Sequence, residues 1–344
     1  DRRKFKGDAM KKVCLVILDG WGYAPPWGGN PISVANPQTF NTLWRSQPKA
    51  LLHASGSHVG LPGHEAGNSE VGHLNIGAGR ILRLDQTVIT ESIRSGVFFQ
   101  NQALLEAFHK AKHNQGKVHL MGLISQGGVH SYLDHVYALI ELAANQKFDN
   151  LYLHMFSDGR DSPPQSALEI IDKLDQAFAL HKLGKVASVS GRFFAMDRDR
   201  HFDRIEKTLD AMVHAIGPRF LSARSAISAS YQQGLSDEYI IPSVITHENG
   251  QPIATIGEKD AVIFFNYRAD RAREITKMLK EKLPNIYLVT FVPYGFEKEF
   301  KTNIKNAFIP DPIINPIAQT VSNLGLRQFH IAETEKYAHV TYFF

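Results

Sequence analysis

Residues 67–80, GNSEVGHLNIGAGR, are the stretch whose residue types and spacing point most specifically to chemistry. Small residues around one serine let the backbone approach an anion closely, and the N–H groups of a helix start can cradle phosphate oxygens. Ser69 is therefore a candidate nucleophile, provided something lowers the pKa of its hydroxyl. A divalent metal would do that, and Asp19, standing where an apolar run ends, is a suitable hard oxygen ligand. The plainer reading is that the glycines build tight turns and Ser69 caps a helix. A run this long and this particular favours the chemical reading.

Other polar clusters carry weaker signals. Arg160-Asp161 follows Asp158-Gly159 and also suits an ordinary turn ion pair. Arg198, Asp199 and Arg200 alternate in sign, the habit of a solvated face. His130 precedes an amphipathic stretch, where it would cap a helix or rest satisfied at its start. His53, His58, His64 and His73 lie near Ser69 in sequence, but their spacings fit no metal geometry, so surface or structural roles are expected. His339, close to Lys336, is assigned no ligand role.

These residues need elements to position them. Residues 13–18 (VCLVIL) read as a buried parallel strand that delivers Asp19 at its carboxyl end. A Pro- and Gly-rich loop follows, then a second strand candidate at 51–54. From Thr87 onward, strands at 118–124, 151–156, 186–190, 261–265 and 286–291 alternate with helices at 133–145, 165–180, 202–215 and 271–281. That alternation predicts α/β layers around a mostly parallel sheet. Pro310, Pro312 and Pro316 mark a linker. Beyond it a helix is expected at 317–324 and strands at 328–332 and 340–344. A domain rarely ends on an uncovered apolar strand, so the chain is expected to be cut within a domain.

Five motifs in order carry a resemblance: LDGWG at 18–22, the Ser69 segment, SGRFFAMDRDR at 190–200, NYRADRAR at 266–273 and AETEKYAHVT at 332–341. Together, from about Met10 to the end, the chain resembles the cofactor-independent phosphoglycerate mutases of the alkaline phosphatase superfamily. The resemblance implies a two-domain α/β fold, an alkaline-phosphatase-like domain interrupted by an inserted phosphotransferase domain. Here the insertion would be residues 84–310, and the interrupted domain residues 1–83 and 311–344. It implies that Ser69 is both nucleophile and metal ligand, that Asp19 binds the same ion, and that Lys336 lies near the transferring phosphoryl group. His130, Arg160, Asp161, Arg192, Arg198, Arg268 and Arg271 would bind the phosphoglycerate. Guanidinium forks suit a ligand with one phosphate and one carboxylate, and Asp161 would orient or deprotonate a glycerate hydroxyl.

The implied activity is interconversion of 3- and 2-phosphoglycerate through phosphoserine, with two Mn2+ and no organic cofactor. The remaining metal ligands are expected beyond Phe344, so the chain as given is expected to be inactive by itself. Two other readings stay open. One is a phosphatase or phosphomutase of the same superfamily, against which the arginine-rich insertion argues. The other is a non-catalytic phosphoglycerate-binding remnant.

Bulk properties bound the rest. A length of 344 residues favours two domains, and 43% hydrophobic with 21% charged residues matches a soluble globular chain. A net charge of +4 without a Lys/Arg block gives no footprint for nucleic acid. The single cysteine, Cys14, forms no internal disulfide, which favours a reducing compartment. No apolar stretch is long enough to cross a bilayer. A cytoplasmic monomer is the expectation, with Met10 as the natural start and residues 1–9 a non-native leader.

Overall fold

The computed structural model describes residues 12–344 except 64, 301, 302, 311 and 343. The expected leader, Met10 and His64 lie outside the described residues. The chain forms two compact units, one of Asp1–Arg83 with Ile313–Phe344 and one of Leu84–Pro312.

The Leu84–Pro312 unit is built on an eight-stranded sheet. Its strands are β1 Val118–Ile124, β2 Leu151–Ser157, β3 Lys185–Gly191, β4 Arg219–Phe220, β5 Ser243–Ile245, β6 Ala261–Phe264, β7 Tyr287–Thr290 and β8 Ile304–Asn306. Their spatial order is β4-β5-β3-β2-β1-β6-β7-β8, and every pair is parallel except β3 with β5. β1 and β6 are buried along their whole length, as strands covered by helices on both faces must be. Helices Leu133–Asn145 and Ala167–His181 make the crossovers from β1 to β2 and from β2 to β3. From β1 the chain first builds outward through β2 and β3, then returns to lay β6 along β1's other edge. That reversal opens a crevice at the carboxyl ends of the strands, the place where sheets of this kind bind ligands.

One core cluster runs through the unit, from Ile89 and Phe98 to Tyr294 and Phe296. A polar chain crosses it. His119 on β1 bonds Asp260 at 3.2 Å and His154 on β2 at 2.9 Å, and His154 reaches Ser188 Oγ on β3 at 2.8 Å. Lys117 closes the far end on Asp260 at 3.0 Å. Polar groups this deep stay only when partnered.

The Asp1–Arg83 and Ile313–Phe344 unit holds helices Pro31–Ala35, Gln38–Ser46, Ser69–Ala78 and Ile317–Asn323. Here the strand expectations fail. Residues 13–18, 51–54 and 328–332 form no ladder among the described residues, and 340–342 are turns. A strand exists through the neighbour that takes its N–H and C=O groups. No described residue does so, and Val13, Leu52 and Phe329 are 91%, 90% and 84% exposed.

Candidate active site

Ser69 is the first residue of the helix Ser69–Ala78. It does not cap that helix. Asn68 does, its side chain accepting from the Val71 N–H at 3.0 Å. Ser69 Oγ is thereby left outside the cap, at the positive end of a ten-residue helix. Backbone crowding fixes its approach, because a Cβ on Gly67 would stand 1.7 Å from the Ala54 carbonyl oxygen.

Asp19 follows the 13–18 segment, and the turn continues through Gly20 at φ 78°. Ser69 Oγ donates to Asp19 Oδ2 at 2.5 Å, and Lys336 Nζ donates to Ser69 Oγ at 2.9 Å and to the same Asp19 oxygen. The Lys336 bond first, then the Ser69 bond, hold the Asp19 carboxyl below the usual carboxylate range. The structure therefore brings Asp19, Ser69 and Lys336 together. His73 Nδ1 lies 2.7 Å from the Ser69 carbonyl and 3.4 Å from its Oγ. A hydroxyl held between an ionised carboxylate and an ammonium can give its proton to the first and keep its oxygen charge-stabilised by the second.

A divalent ion fits these residues poorly. Asp19 and Ser69 give two oxygens, whereas a hard cation takes about six ligands, and the Lys336 ammonium sits on both. Among the described residues no group of three or more His, Cys, Asp or Glu could hold a metal. His53 and His58 stack at 3.9 Å without forming such a group.

In the other unit the strands deliver their first residues past the sheet into one cluster. Asp158, Arg160 and Asp161 follow β2, Arg192 follows β3, His130 lies in the loop after β1, and Arg268, Asp270 and Arg271 follow β6. Arg192 is 3% exposed and donates to Asp158 and Asp161, each at 2.6 Å. Burial opposes its charge, but the two carboxylates raise its pKa. Asp158 takes further bonds from Ser125 at 2.5 Å and the Asp161 N–H at 3.0 Å. These, with Arg192, outweigh burial and keep it ionised.

Arg198 pairs with Asp270 at 2.8 Å and Arg268 with Asp270 at 3.1 Å, while Arg160 faces Glu238 at 3.8 Å. Arg271 donates to the Met196 carbonyl at 3.0 Å, and its pKa is lowered by burial and then by Arg198, Arg192 and Arg160. Crowded guanidiniums of this kind are ready for an anion. His130 lies between Asp161 at 4.0 Å and Asp270 at 3.7 Å. Burial first, then Arg192, push its pKa down to about 4, so the ring is neutral near pH 7.

All seven residues expected to bind substrate lie at this carboxyl edge, with Lys336 in the other unit. Sequence reading passed over Asp158, Asp197 and Asp270. Asp158 had a usable signal, being the first charged residue after an apolar strand, as Asp19 is. Asp197 anchors the Arg198 loop by accepting from the Asp199 and His201 N–H groups at 2.8 and 3.0 Å and from Arg204 at 3.0 Å.

Comparison with known proteins decides what this architecture belongs to. Residues 89–303 match the family model described as BPG-independent PGAM N-terminus. The chain belongs to the BPG-independent phosphoglycerate mutase family. A 2,3-bisphosphoglycerate-independent phosphoglycerate mutase of Clostridium beijerinckii is 45% identical over 344 residues, covering 98% of this chain and 66% of that protein. One from Methanosarcina barkeri is also 45% identical, covering 97% and 66%. Among solved structures, a Leishmania mexicana phosphoglycerate mutase determined at low cobalt concentration superposes with a TM-score of 0.76 at 29% identity, covering 95% of this chain and 63% of that one. The chain thus spans just under two thirds of the length of these phosphoglycerate mutases.

Proposed function

We propose that the protein serves as a phosphoglycerate mutase, interconverting 3- and 2-phosphoglycerate through a phosphoserine at Ser69. The observation that carries this reading is the Ser69 hydroxyl, set at a helix start between the Asp19 carboxylate and the Lys336 ammonium. Asp19 would accept and orient the hydroxyl's hydrogen so that Ser69 Oγ faces the phosphorus. Lys336 would offset charge as the P–O bond to Oγ forms and the P–O bond to glycerate breaks. Arg160, Arg192, Arg198, Arg268 and Arg271 would hold the phosphate and carboxylate of the ligand, so that the dephosphorylated glycerate is retained and turned rather than released. His130 and Asp161 would face its hydroxyls.

On this reading Leu84–Pro312 is the inserted substrate-holding domain, and the other unit is the phosphatase-type domain that carries the serine. Two Mn2+ are the expected metal complement, with Asp19 and Ser69 giving only part of the ligand set. A cytoplasmic monomer with no nucleic-acid or membrane partner completes the reading.

Incubating the full chain with 3-phosphoglycerate and Mn2+, then mapping phosphopeptides by mass spectrometry, tests this proposal. Phosphate on Ser69 that vanishes in Ser69→Ala is expected; no phosphate on Ser69 sinks it. The two-oxygen donor set favours a second reading, phosphoglycerate binding without turnover. Binding heat that is the same with and without Mn2+, and no phosphoserine, would select it.

A further inference from the structure

Asp270 is the hub of the crevice between β1 and β6. Its Oδ2 lies 2.8 Å from Arg198 Nη1 and its Oδ1 lies 3.1 Å from Arg268 Nε. These are two of the guanidiniums read above as grips for the ligand. A guanidinium paired with a protein carboxylate, Arg198 by a hydrogen bond and Arg268 by charge alone, is less free for the ligand's anion, so the two anions compete for the same cations. From across the crevice His130 Nδ1 faces Asp270 Oδ1 at 3.7 Å, too far for a hydrogen bond. Both atoms are buried and neither makes a hydrogen bond among the described residues, the Arg268 contact with Oδ1 being an ion pair without hydrogen-bond alignment. Such facing orphans are costly, and native interiors hold few of them. A shift of about 1 Å would let the Nδ1–H donate to Oδ1 and satisfy both.

We propose that Asp270 is a resident counter-anion: it holds Arg198 and Arg268 where a phosphate or carboxylate of the ligand would bind, and passes to His130 when such a ligand takes them. The inference rests on the reading that phosphoglycerate binds in this crevice, and adds that binding is a displacement. Groups facing the imidazole are Asp161, Asp270, Arg192 and Arg268. A neutral imidazole carries one N–H. Once Asp270 accepts it at Nδ1, Nε2 on the Asp161 side is fixed as an acceptor for a ligand hydroxyl. Anion capture by the arginines thereby prepares the ring for the alcohol.

Calorimetry of the full chain with 3-phosphoglycerate, and separately with inorganic phosphate, tests the displacement. Asp270→Asn should bind both about five- to tenfold tighter, because a competing charge is gone. Asp270→Glu, which keeps the charge, should not show that gain. By proton NMR, a far-downfield imidazole N–H should appear when 3-phosphoglycerate is added, be missing in His130→Gln, and fail to appear in Asp270→Asn. Weaker binding in Asp270→Asn at an unchanged melting temperature would overturn the inference by making Asp270 a support for the arginines. A resonance indifferent to ligand would overturn it as well. Should Asp270→Asn fail to fold, the NMR response of the unsubstituted chain decides. No heat from either ligand would instead remove the functional reading underneath, and the inference with it.

Discussion

Arg192 holds two carboxylates inside the protein, and each of the three charges is tolerable only because of the others. Replacing it with Ala leaves Asp158, 1% exposed at its side chain, without its guanidinium. Urea unfolding of Arg192→Ala is expected to show a loss of about 3–5 kcal/mol; a loss below about 1 kcal/mol would contradict the buried-pair argument. Lys336 is different, since its side chain is 29% exposed and its ammonium bonds Ser69 and Asp19. Lys336→Met should leave the melting temperature nearly unchanged while lowering phosphoserine formation about a hundredfold, the usual cost of losing one charge-stabilising donor. Residue types and motif order were enough to single out Ser69, Asp19 and Lys336, which the fold brings within hydrogen-bond reach. Asp270 was not legible in that way. Its meaning depends on a contact with His130 that only the pairing of β1 with β6 creates.

At the scale of elements, β1, β2, β3, β6 and β7 were legible because each is an apolar run flanked by helical periodicity. β4, β5 and β8 have two or three residues each, too few for any period to show. The helix expected over 202–215 ends at Leu209 and continues as a π-turn over Asp210–His214, because one extra residue widens the spiral there. The helices and strands also bury imidazoles. His119, His130, His135 and His154 all have pKa values lowered, chiefly by burial, so they stay neutral in the fold. Unfolded, each takes a proton near pH 6.5. The unfolded chain therefore binds more protons as pH falls, and stability present above about pH 6.5 is lost below it, by about 1.4 kcal/mol per pH unit for a histidine such as His135 that stays neutral in the fold. Asp85, raised by burial to about 6, keeps its proton longer in the fold and works against this trend. His135 is pushed down to about 3 and bonds Thr90 at 2.9 Å. Denaturant melts of His135→Gln between pH 6.5 and 5 should lose stability more gently than the parent, by about 1.4 kcal/mol per pH unit. Parallel slopes would show that His135 titrates normally.

At the scale of the whole molecule, the Leu84–Pro312 unit encloses its own continuous core, from Ile89 to Phe296. We expect a polypeptide of residues 84–312 to unfold in one cooperative thermal transition, as self-contained cores do; a sloping, featureless melt would refute that. Among the described residues no helix is long and apolar enough to cross a membrane. The order of the strands also sets the order in which the protein can be assembled. During synthesis β1, β2 and β3 leave the ribosome first and can pair at once, yet β1 keeps one edge bare until β6 has been made. A bare, largely apolar central strand is a template for pairing with another nascent chain. Until β6 arrives, His130 also waits without Asp270 or Arg268 opposite it. Translation stalled near residue 250 would leave a nascent chain prone to stick to its neighbours, and closure of the sheet and completion of its charge cluster would then be one late event.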